Sequence, residues 1–193
     1  MIEFLEQLME WDRSLFLGIN RGLSNPVFNV VLPFVRERAL WIPLYLYLLY
    51  LAFSRFHRKT AVTLVLGLAL FAGGADFTSS TLIKKNVQRL RPCNEPSLKE
   101  QVILRLDHCG SGYSFTSSHA SNHFAVAVYL SGWFGFMGRW VRPAFLFWAF
   151  SIAFSQVYVG VHYPLDVLFG GLLGALFGWF GQKVSRTFAG TNK

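Results

Sequence analysis

Between Ala61 and Ile83 the chain reads AVTLVLGLALFAGGADFTSSTLI, with Asp76 as its one ionisable residue. A helix crossing the hydrocarbon of a bilayer needs about 20 mainly apolar residues, and this run supplies them. Four further apolar stretches follow the same rule approximately, at 40–53, 120–137, 143–161 and 164–181. The first of these has an alternative earlier start, because VVLPF at 30–34 is also apolar. Of the 193 residues, 53% are hydrophobic and 15% charged, against about 25% charged in soluble domains. The expected fold is therefore all-α: a polytopic transmembrane bundle of about five spans. It divides into a segment 1–38, a membrane domain 39–182 and a tail 183–193.

The first residues, MIEFLEQLMEWD, carry Glu3, Glu6, Glu10 and Asp12. A cleaved secretory signal starts basic and continues apolar, so none is expected. Phe4, Leu8, Trp11, Leu15 and Ile19 recur at helical spacing instead. That pattern fits an amphipathic helix in the membrane interface, or equally one packed on the flank of the bundle.

Charge sets the orientation. The connections at 54–59 and 138–142 and the tail after Gly181 hold Arg55, Arg58, Lys59, Arg139, Arg142, Lys183, Arg186 and Lys193, and no acid. With five spans all three segments share one side, which the positive-inside rule makes cytoplasmic. The formal net charge of +8 then flanks membrane spans and does not form a nucleic-acid-binding face. The N-terminus and the segment 84–118 face the other compartment. Cys93 and Cys109 lie in that segment, where an oxidising environment permits either a disulfide or two thiols.

Ionisable residues at span ends on one side of a membrane protein mark a functional site. Three clusters gather on the outward side: KKNVQRLRP, FTSSHASNH and SQVYVGVHYPLD. Lys84 and Arg91 are natural phosphate partners, the arginine through a bidentate fork. Ser117 and Ser118 precede an apolar helix, so their hydroxyls and the first free amides are expected to face an anion. His119 and His162 are suited to proton transfer or nucleophilic attack near neutral pH. Asp166, one turn after His162, is placed to orient that ring. No metal-site spacing of Cys, His or carboxylates occurs, so no metal or other cofactor is expected.

The same three clusters resemble the type 2 phosphatidic acid phosphatase (PAP2) superfamily, whose pattern is K-x6-RP, then PSGH, then SR-x5-H-x3-D. The first part is complete in Lys84, Arg91 and Pro92. The second appears as TSSH, with Thr116 and Ser118 as departures and Ser117 and His119 retained. The third retains Ser155, His162 and Asp166, but has Gln156 where the family has arginine. The resemblance implies that His162 attacks phosphorus to form a phosphohistidine, oriented by Asp166. It implies that His119 protonates the departing oxygen and later activates water, while Lys84, Arg91, Ser117 and the Ser118 amide hold the phosphoryl oxygens. Gln156 donates a hydrogen bond but brings no charge. Arg89, Lys85 or Arg105 compensates for it, or the site works with less charge.

These readings give a bacterial-type cytoplasmic (inner) membrane phosphatase with its site facing the periplasm or outside. Its partners are the bilayer and a lipid phosphate or pyrophosphate. Undecaprenyl pyrophosphate is placed first, ahead of phosphatidylglycerol phosphate, phosphatidic acid and lipid A phosphates. A phosphotransferase and a non-catalytic headgroup binder are the competing readings. Away from the motifs, His123 is expected to pack, His57 and His108 to sit in solvated loops, and Asp76 to bond between helices. Gly170, Gly174 and Gly178 form a close-packing stripe on the last span, facing either the bundle or a second copy.

Overall fold

A computed structural model of the protein describes residues 2–191. Helix α1 (Ile2–Leu17) leads through a π-helical turn at Gly18–Gly22 to α2 (Pro26–Val35), α3 (Ile42–Arg55) and α4 (Arg58–Phe77). A second π-helical segment, Thr78–Ile83, joins α4 to the short α5 (Lys84–Val87). The segment to Ser117 is mostly irregular, and α6 (Ser118–Phe134), α7 (Val141–Tyr158) and α8 (Pro164–Ala189) complete the chain. Helices α3, α4, α6, α7 and α8 overlap the five expected spans, with α4 giving way to the π-helical segment after Phe77 and α8 running eight residues beyond the expected end at 181. Two helical stretches among the described residues, Arg58–Asn94 and Pro164–Ala189, are long and apolar enough to cross a membrane.

Local chemistry sets the boundaries. Pro26 and Pro164 open α2 and α8 at first-turn positions where a missing N–H costs nothing. Asn25 caps α2 by accepting the Phe28 amide at 2.9 Å. The apolar run at 30–34 is thus a separate helix and not the start of α3. A 3₁₀ turn at Arg38–Trp41 divides the two. Helix α8 continues past the expected span end to Ala189, where Gly190 adopts φ 69°.

The outside of the bundle is apolar as well as its core. Leu66 and Leu70 on α4, Phe147 and Phe150 on α7, and Leu172 and Leu176 on α8 are all more than half exposed. Asp12, Asn20, His162 and Asp166 are buried. A lipid solvent accepts the first set, and internal partners must satisfy the second.

Helix α6 is the central element and packs most extensively on α8, then on α7 and α4. A side chain added at Gly170, Gly174 or Gly178 would strike the α6 backbone at Ser117, Ser121 or Ala125. The glycine stripe therefore serves internal packing. Asn122 donates to Asp76 at 2.9 Å, making the expected bond between α4 and α6. Helix α1 is docked as well as amphipathic: Phe16 and Asp12 are buried, while Trp11 and Leu15 stay exposed.

Candidate active site

The loop 159–163 between α7 and α8 carries His162, and it is braced from several sides. The Gln156 carbonyl accepts the Val161 and His162 amides, each at 3.2 Å. Gly160 takes φ 94°, a conformation costly for other residues, and a Cβ added there would crowd the Ile103 carbonyl. Asn20 clamps the turn from α1's side, donating to Tyr158 O at 2.8 Å and to Ile103 O at 2.9 Å. His162 is 2% exposed, so its position is fixed by packing and not by solvent.

Asp166 sits in the first turn of α8 with no exposure. Its Oδ2 accepts the Tyr163 amide at 2.8 Å and lies 3.5 Å from His162 Nδ1. That separation is long for a hydrogen bond, so Asp166 acts on the ring chiefly as a charge. Burial nevertheless dominates: it lowers the His162 pKa to about 4 although Asp166 pulls it upward. Arg91 and Lys84 act in the same direction as burial. The ring is neutral at physiological pH, the state a nucleophile requires.

Lys84, Arg91, His119, Gln156 and His162 line one polar cavity of about 380 Å³. The π-helical turn before α5 resets the register of α4 and delivers Lys84 to this cavity. Arg91 donates to the Ser111 and Gly112 carbonyls, each at 3.3 Å. A disulfide between Cys93 and Cys109, with Cα atoms 5.9 Å apart, ties the loop at the cavity rim. His119 enters from the first turn of α6. His123, one turn later, bonds the His119 carbonyl at 2.8 Å and meets Trp148 edge-on, which is the packing role expected of it. His57 is exposed, as expected.

Five sequence candidates lie elsewhere. Ser117 is fully buried and its hydroxyl accepts the Ala120 amide at 3.4 Å, so it caps α6 and does not face the cavity. The Ser118 hydroxyl contacts Ser79 at 3.1 Å. What α6 presents to an anion is the free amides of its first turn. Arg89 is committed to two carboxylates, Asp166 at 2.9 Å and Asp12 Oδ2 at 2.6 Å, and stacks on Tyr163. Arg105 binds Asn29, the Tyr158 carbonyl and the Asn20 carbonyl while stacking on Tyr158. Lys85 is exposed on α5 and does not line the cavity. None of the three expected compensating cations thus faces the phosphate-sized space.

The cavity also brings residues without a counterpart among the sequence candidates, Arg36, Glu37 and Asp107, and His108, which is exposed as expected of a loop residue, lines it too. The run Arg36–Glu37–Arg38 between two apolar helices was the available signal. Asp12 was noted only as one of the acids against a signal peptide, yet its Oδ1 accepts the Leu165 amide at 2.8 Å and so fixes the start of α8.

The chain resembles known proteins over most of its length. The PAP2 superfamily model matches residues 60–188. A lipid A 4′-phosphatase of Bacteroides thetaiotaomicron is 33% identical over 93% of this chain and 77% of its own length. An undecaprenyl-diphosphatase of Sulfolobus acidocaldarius is 30% identical over 94% of this chain and 82% of its own. Among solved structures, LpxE of Aquifex aeolicus superposes with a TM-score of 0.66 at 25% identity, covering 88% of this chain and 93% of that one. A Bacillus subtilis phosphatidylglycerolphosphate phosphatase shares the fold, with a TM-score of 0.65 at 23% identity, covering 94% and 87%.

Proposed function

The chain belongs to the PAP2 superfamily and is a membrane lipid phosphatase, and on that premise we propose that it removes a phosphate monoester from lipid A. The observation that carries this is the likeness, over nearly the whole chain, to lipid A 4′-phosphatases of two organisms. Lipid A, last in the order expected from sequence, is here placed first. Undecaprenyl diphosphate becomes the second reading, favoured by the archaeal relative. A non-catalytic headgroup binder loses its ground in a family of phosphatases.

In this reading the neutral His162 attacks phosphorus, and the bond from phosphorus to the lipid oxygen breaks. His119 gives its proton to the departing oxygen, leaving phosphohistidine 162. It then takes a proton from water, which attacks that intermediate and releases inorganic phosphate. Lys84, Arg91 and the first-turn amides of α6 stabilise the charge that builds on the phosphoryl oxygens. A phosphotransferase would differ only in replacing water by another acceptor.

The test is phosphate release by the detergent-solubilised protein from lipid A, undecaprenyl diphosphate, phosphatidylglycerol phosphate and phosphatidic acid. The highest kcat/KM is expected on lipid A. A preference of tenfold or more for the polyprenyl diphosphate would establish the second reading instead.

The active site is proposed to face the non-cytoplasmic side, because seven of the eight basic residues named above flank the opposite ends of the helices, the eighth, Lys193, lying outside the described residues. In intact cells, a cysteine placed at Gly112 should react with an impermeant thiol reagent, and one placed at Arg58 should not. The native cysteines, being bridged, do not interfere. Labelling of both positions from outside would refute the orientation.

A further inference from the structure

Gln156 leaves a vacancy of charge at a position where the family has arginine, and none of Arg89, Arg105 and Lys85 fills it. The side chain of Gln156 is 1% exposed and lines the cavity. Its Nε2 group has no hydrogen-bond partner. A buried amide N–H without an acceptor is costly unless a ligand supplies one.

Arg36 lines the same cavity from the end of α2. Its Nε is also buried without a partner. Among the described residues no carboxylate lies within ion-pair distance of it. Burial is the main cause that lowers the His119 pKa, and the positive charge of Arg36 lowers it further; burial and that charge act on Arg91 in the same direction. Arg36 and His119 line the same cavity.

The backbone around Arg36 is held firmly. Trp41 donates to the Val35 carbonyl at 2.8 Å and packs edge-on against Trp148 of α7. Asn29 of α2 accepts the Tyr158 hydroxyl at 2.7 Å, close to the end of α7 where Gln156 sits. Helix α2 and the glutamine are thus positioned by one helix.

Two buried donors without acceptors in one cavity, one of them a cation, suit the oxygens of a phosphate monoester. We propose that Arg36 joins Lys84 and Arg91 as a phosphate-binding cation of this site, supplying from a different helix the charge that Gln156 lacks, with the Gln156 amide donating to the same group. This rests on the phosphatase reading but not on which lipid is the substrate. Arg36 neutralises the oxygens shared by substrate and pentavalent transition state, so its loss weakens binding of both.

The experiment uses orthovanadate and inorganic phosphate as inhibitors of the full-length protein, so it does not depend on the identity of the lipid. Arg36→Gln is expected to raise the Ki for both by about 10- to 100-fold. Arg36→Lys should recover part of that loss. Gln156→Arg should lower Ki at least about tenfold more in the Arg36→Gln background than in the wild type, because the two positions serve one oxygen set. Thermal unfolding of each variant separates these effects from misfolding, and Arg36→Lys preserves the test if Arg36→Gln does not fold. Unchanged Ki values in a folded Arg36 variant, or additive effects of the two substitutions, would overturn the proposal. Failure of lipid A as a substrate would leave it standing.

Discussion

His162→Ala is expected to abolish phosphate release, lowering kcat by on the order of 10⁴- to 10⁶-fold, the range seen when a covalent nucleophile is removed. The magnitude follows from the site's construction. Lys84, Arg91 and the α6 amides stabilise charge, but they cannot replace the bond that His162 makes to phosphorus. The residual rate measures those binding groups alone. Phosphate release within tenfold of wild type would refute the phosphohistidine mechanism. The ring's proton affinity provides a second check, since burial lowers its pKa from 6.5 to about 4. A lowered value means the neutral, attacking form persists as pH falls through 6 and 5 and is lost only near 4. The imidazole resonance absent from the His162→Ala protein should therefore titrate near pH 4, and a value at or above 6.5 would contradict the buried geometry.

The parts of this protein that could be read from sequence share a physical reason. Spans such as 61–83 announce themselves by a run of apolar residues, a local property that needs no tertiary information. His162 and Asp166 are legible as a pair because four residues put them within one helical turn, and His119 because it stands in a short polar cluster of its own at the start of an apolar run. Arg36 is not, because its relation to Gln156 exists only once α2 docks on α7. The three cations nominated to compensate for Gln156 were chosen by charge and side of the membrane, and those criteria say nothing of where a guanidinium points. Arg89 shows the difference. It is close to Arg91 in sequence, yet it turns away from the cavity to two buried acids, one of them contributed by α1. Ser117 misled for a related reason. A serine before an apolar helix serves equally as an anion ligand or as a helix cap, and burial selects the cap.

Arg89→Met is expected to destabilise the protein by about 3–5 kcal/mol, the usual cost of removing one partner from a buried ion pair. Here one guanidinium serves two carboxylates, the side chains of Asp12 and Asp166 being 1% and 0% exposed. Without it two negative charges face each other in a dry environment, and Asp166 loses the bond that holds its Oδ1. The Oδ2 contact with the Tyr163 amide remains, so the carboxylate is expected to rotate and not to leave. Such a rotation changes its approach to His162, which at 3.5 Å is already long. Activity should therefore fall by roughly 10²-fold even in the fraction that stays folded, with kcat changing more than KM, because Arg89 does not touch the phosphate cavity. The double variant Arg89→Met/Asp12→Asn discriminates between the two effects. It removes one of the stranded charges while leaving an acceptor for the Leu165 amide, so it should regain stability. It should not regain activity, because Asp166 still lacks its partner. Thermal unfolding and phosphate-release kinetics on both variants measure this directly. Full recovery of kcat in the double variant would show that Arg89 merely balances charge, and that α1 has no part in aiming the catalytic carboxylate.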